Sequence, residues 1–159
     1  MATPTPYRSL PTDRRVALVT QAMNSSREAR ALYVQRLVAR GGGFRAATLK
    51  TWPVDRLARE IVRMNAETAH DEFDLLHLLY VELEPAIQTT FLDAAGVQHE
   101  GGKIADGLET PYADEAAVRR GADAVRERHG DDGVRYLRTL ARYAPDAWPG
   151  IEAVADASA

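Results

Sequence analysis

Apolar residues in this chain recur every three to four positions in one run after another, and no segment sustains a period-two alternation of β-branched residues. This spacing is its strongest constraint. The cleanest run follows Trp52-Pro53: Val54, Leu57, Ala58, Ile61, Val62 and Met64 fall on one face of a helix, and Asp55, Arg56, Arg59, Glu60 and Arg63 on the other. Such stripes must be buried against one another, which predicts an all-α fold.

Proline and glycine punctuate the runs. Three prolines within residues 1–11 preclude a helix there. Thr12 is the expected N-cap of a first helix carrying Val16, Val19 and Met23. Ser25 with Glu28 fits a capping box opening a second, which carries Tyr33, Val34, Leu37 and Val38 and stops at Gly41-Gly42-Gly43. Residues 44–50 are left open between helix and loop. After the third helix at Trp52-Pro53, a fourth is expected over 67–83 until Pro85, and a fifth over 86–95 ending at Gly96. Residues 97–109 read as non-helical. A sixth helix opens at Thr110-Pro111 and ends at Gly130, Asp131-Asp132 cap a seventh through Tyr143, and Trp148-Pro149 opens a last short turn.

A length of 159 residues suits one core. The expectation is therefore an all-α single compact domain of six to eight amphipathic helices over 12–152. A flexible, irregular N-terminal arm (1–11) precedes it and a frayed tail (153–159) follows. Leu57, Ile61, Leu75, Leu79, Leu83, Phe91, Val125, Leu137 and Leu140 are expected to be largely buried. No apolar run is long enough for a membrane span. The absence of cysteine excludes disulfide and thiolate chemistry. Residues 1–6 lack the basic and apolar regions of a signal peptide, so a cytoplasmic location is expected.

The net charge of −3 conceals an asymmetry. Residues 1–63 hold 12 basic and 4 acidic residues, a net of +8, and residues 64–159 hold 8 and 19, a net of −11. Opposite charge of this kind can be neutralised inside the fold, against a second copy, or against an anionic partner. The first is the expectation. Two arginine rows stand out: Arg56, Arg59 and Arg63, and Arg135, Arg138 and Arg142, each on one helical face. They are the candidate anion- or partner-binding residues, the second row with the acids of the fourth helix as its expected internal partner.

The fourth helix carries the sharpest chemistry. His70, Asp74, His77 and Glu84 share one face, and two imidazoles with a carboxylate form a donor set suited to a divalent metal such as zinc. A further ligand would have to come from elsewhere, with His99, Glu100 and His129 as the candidates. The ordinary alternative is a polar stripe in which His77 bonds Asp74. Gly41-Gly42-Gly43 follows a helix rather than a strand, so it does not read as a phosphate loop, and no nucleophile elbow is present. The first two helices superficially suit a helix-turn-helix, but Arg36 and Arg40 share a face while Arg30 falls beside the apolar stripe.

The resulting expectation is a non-catalytic helical interaction or accessory protein without a cofactor, docking a protein partner or a second copy. Two alternatives stand beside it: a metal-binding protein or metal-dependent hydrolase on His70, Asp74 and His77, and a nucleic-acid binder using the arginine rows.

Overall fold

A computed structural model describes residues 2–157. The fold is all-α, with eight α-helices and one two-stranded ribbon among the described residues. The helices are α1 Thr12–Ser25, α2 Arg27–Ala39, α3 Ala46–Leu49, α4 Val54–Arg63, α5 Ala69–His77, α6 Pro85–Ala95, α7 Glu115–Tyr143 and α8 Ile151–Asp156. The ribbon pairs β1 His99–Glu100 with β2 Lys103–Ile104, antiparallel, inside the stretch read as non-helical. The described residues divide into two compact units, one up to Leu78 and one from Leu79 onward.

In the first unit α1 packs on α2, α4 and α5. The apolar face predicted for α4 is the buried one: Leu57, Ala58, Ile61 and Val62 lie in a core with Leu18, Val19, Met23, Val34, Leu37 and Leu75. The cap of α2 is Ser26, not Ser25, and its hydroxyl accepts from the Ala29 amide at 3.1 Å. Ser25 is still helical and donates back to the Gln21 carbonyl. Thr68 caps α5 in a full capping box with Asp71. The N-terminal arm has no regular helix, yet it is anchored, with Tyr7 fully buried and Leu10 nearly so.

One register differs from expectation. The helix begun by α5 continues as a π-helical stretch, Leu78–Leu83, with the Glu84 amide bonded to the Leu79 carbonyl at 2.7 Å. The wider turn carries Leu83 off the line of Leu75 and Leu79, so Leu83 is 45% exposed rather than buried.

In the second unit α7 packs on α6 and α8. Its core is aromatic: Phe91 meets the Tyr136 ring at 5.8 Å and the Trp148 ring at 5.0 Å, both edge-on. Gly121 lets α7 approach α6, since a Cβ there would stand 2.8 Å from the Phe91 ring. Gly130, at φ 52° and ψ −127°, breaks α7 into two helical segments, the boundary expected from sequence. Val125 and Leu137 are buried as expected, and Leu140 is half-buried.

Candidate functional site

The densest charge cluster lies in the first unit. Glu67, whose side chain has no solvent exposure, accepts from the Tyr7 hydroxyl at 2.8 Å, from Arg15 at 2.9 Å and from Arg8 at 3.3 Å. Glu72 accepts from Arg8 Nε at 2.6 Å and from the Thr5 hydroxyl at 2.7 Å. Asn65, in the left-handed region at φ 48°, presents Oδ1 to Arg8 at 2.8 Å. Burial first, and then the Glu67 carboxylate, push the Tyr7 hydroxyl well above its usual pKa. This clasp ties the N-terminal arm and α1 to the start of α5. It uses acids of the fourth predicted helix to neutralise arginines from the front of the chain. Glu67, Glu72 and Asp71 are engaged by Arg8, Arg15 and Arg36.

The arginine rows fare differently. Arg59 pairs with Asp55 and Arg63 with Glu60 along the exposed face of α4, and Arg56 lies 3.8 Å over the Trp52 ring. Glu60 is held below the usual carboxylate range by its hydrogen bonds from Arg63. In the second row Arg135 pairs with Asp132 and Arg142 lies over the Tyr143 ring at 5.6 Å. Neither row is a bare strip of guanidinium groups.

His70 and Asp74 come together, Nε2 to Oδ2, at 3.3 Å on the exposed face of α5. His77 does not join them, nor does it bond Asp74; its ring stacks on Phe73 at 6.4 Å. His99 is held by Asp93 at 2.7 Å and accepts from the Gly102 amide, and His129 meets the Thr90 hydroxyl at 2.9 Å. Among the described residues no three histidine or carboxylate side chains are gathered in a way that could hold a metal ion.

His70 and Asp74 line a cleft of about 310 Å³ between α5 and the α1–α2 corner. Along α5 the lining residues are His70, Asp71, Asp74 and Leu75, followed by Leu78 at the start of the π-helical stretch, one face, which is why His77 and Phe73 fall outside it. The α2 side supplies Ala29, Leu32, Tyr33 and Arg36, with Ser26 and Glu28 at its first turn and Ala22 from α1. Arg36 pairs with Asp71 and lies 5.3 Å over the Tyr33 ring. Glu28 is held below its usual range by its own backbone amide and the Ser26 hydroxyl. Leu32, half exposed at 50%, forms an apolar lip. Sequence reasoning found His70 and Asp74 and read Tyr33 as core; only the fold sets it beside them. Chemically, the cleft offers carboxylates, an imidazole, a phenol, the Ser26 hydroxyl bonded to Glu28 at 3.1 Å, and apolar walls.

No family model, no curated protein and no solved structure matches this chain. Among the described residues no helix is long and apolar enough to cross a membrane. The described residues thus form a helical protein whose first unit carries a charged, apolar-walled cleft.

Proposed function

We propose that this chain is a non-catalytic, cytoplasmic interaction module whose α2–α5 cleft docks a protein partner. The observation that carries the reading is Leu32: a large apolar side chain half in solvent, on the lip of a cleft that also carries Glu28, Arg36, Asp71 and Asp74. An apolar anchor ringed by polar groups is the anatomy of a protein contact.

A photo-crosslinking amino acid at position 32, in the cell that makes the protein, tests it. One discrete heterologous adduct is expected from position 32. Ala29→Arg, which fills the cleft, abolishes it, and the same probe at exposed Leu108 gives none. An adduct of twice the chain mass would transfer the site to a second copy, and no adduct would remove the reading.

The His70–Asp74 contact at 3.3 Å favours a second reading, a divalent metal such as zinc bound by that pair and a ligand from outside. Elemental analysis of untagged protein decides it: stoichiometric zinc lost in His70→Ala supports the metal, and metal well below stoichiometry ends it.

A further inference from the structure

We infer that the α2–α5 cleft receives a basic side chain, the guanidinium or ammonium of an arginine or lysine carried on the docking partner. The inference rests on the docking reading above and supplies the chemistry of its occupant. Its first support is Tyr33. The residue is only 4% exposed, it lines the cleft with the Arg36 guanidinium 5.3 Å over its ring, and among the described residues its hydroxyl has no hydrogen-bond partner. That hydroxyl is not a sealed, unsatisfied group, the one such atom among the described residues being Arg15 Nε, so it is open to solvent and can accept from a donor supplied from outside.

Charge selects that group. The lining holds three carboxylates, Glu28, Asp71 and Asp74, against one guanidinium, Arg36, a net of −2 with His70 neutral. Arg36 is already engaged by Asp71, so its charge is not offered outward. Burial is the largest cause holding the Tyr33 hydroxyl protonated well above the usual tyrosine range; Asp71 adds to it, Arg36 works against it, and Glu67 and Asp74 contribute less. The neutral phenol can accept from an N–H donor, and Asp74 and Glu28 offer charge-assisted bonds at the rim.

Shape selects the carrier. Ala22, Ala29, Leu75 and Leu78 give an apolar wall suited to the methylene stem of a long basic side chain. About 310 Å³ suits one such side chain and its waters, not a helix. Leu32 at the lip offers apolar surface to the residue beside the anchor, contact that a free amine would leave unused.

Fluorescence polarisation with a labelled glycine-serine nonapeptide bearing Leu-Arg-Leu at its centre tests the inference. Its controls are the same peptide with citrulline for arginine, and free agmatine as competitor. The arginine peptide is expected to bind about tenfold or more tightly than the citrulline peptide, the worth of one charge-assisted hydrogen bond. Glu28→Gln with Asp74→Asn removes that preference, and Tyr33→Phe weakens binding about fivefold. Both carboxylates are exposed, so these variants keep the parent urea midpoint, which is measured alongside. Equal binding of the two peptides, or binding of neither, overturns the inference. Agmatine competing as strongly as the unlabelled arginine peptide overturns the polypeptide source in favour of a small amine. If the peptides fail while the position-32 adduct persists, the occupant chemistry is wrong and docking stands; if both fail, docking falls with it.

Discussion

At the scale of the residue, Glu67 shows how this fold tolerates a carboxylate with no solvent exposure: three donors, Tyr7, Arg8 and Arg15, meet its two oxygens. Removing one partner of such a buried set leaves the others charged or polar without a counterpart. Glu67→Ala is therefore expected to lose about 3–5 kcal/mol. Arg59→Ala, which breaks an exposed pair one helical turn apart, is expected to stay within about 0.5 kcal/mol. Urea denaturation followed by circular dichroism measures both, and a Glu67→Ala loss under about 1 kcal/mol would contradict the clasp. None of this set was legible in the sequence, because Tyr7, Arg8 and Arg15 lie 52 to 60 positions from Glu67 and no local spacing announces such pairs. His70 with Asp74 was legible, being neighbours on a helix face. His77 was not separable from them by spacing alone, since it lies just outside the arc that faces the cleft.

At the scale of the element, α4 was readable because it buries the stripe its spacing defines, Leu57, Ala58, Ile61 and Val62, whereas Val38 of the α2 stripe is exposed. The π-helical stretch was not, because its sequence keeps an α-like spacing while its backbone turns more slowly. Substitution separates the two geometries. Leu79→Ala, at a side chain 4% exposed, should cost about 2–5 kcal/mol, whereas Leu83→Ala should cost less than about 0.5 kcal/mol. Equal losses in thermal melts would restore the regular helix. The α6–α7 contact makes a second prediction. Gly121→Ala gains up to about 1 kcal/mol in helix propensity. Its Cβ, however, would sit 2.8 Å from the Phe91 ring and 3.0 Å from the Phe91 carbonyl oxygen. Phe91 is fully buried between Tyr136 and Trp148 and has nowhere to swing, so an overpacking cost of about 1–3 kcal/mol prevails. A lowered melting temperature is the expected result, and a raised one would mean the helices can part freely.

At the scale of the whole molecule, Tyr7, Tyr33 and Tyr136 all have hydroxyl pKa values raised above the ordinary 10.0, with burial the largest cause in each. A raised folded-state value means that the unfolded chain releases its phenolic protons first as pH increases. The stabilisation is thus complete below about pH 10 and is lost progressively above it, because ionisation then draws the chain toward the unfolded ensemble. The arginine–carboxylate pairs keep their charges over the same interval, since guanidinium groups remain protonated, so they do not contribute to the slope. Urea midpoints measured from about pH 8 to pH 11 should be level and then fall. The double variant Tyr7→Phe, Tyr33→Phe begins lower, having lost the Tyr7–Glu67 hydrogen bond, but descends less steeply because two of the three titrating groups are gone. The two curves therefore converge at high pH. A parent profile that stays level to about pH 11, or parallel curves, would show that these phenols ionise as readily in the fold as outside it.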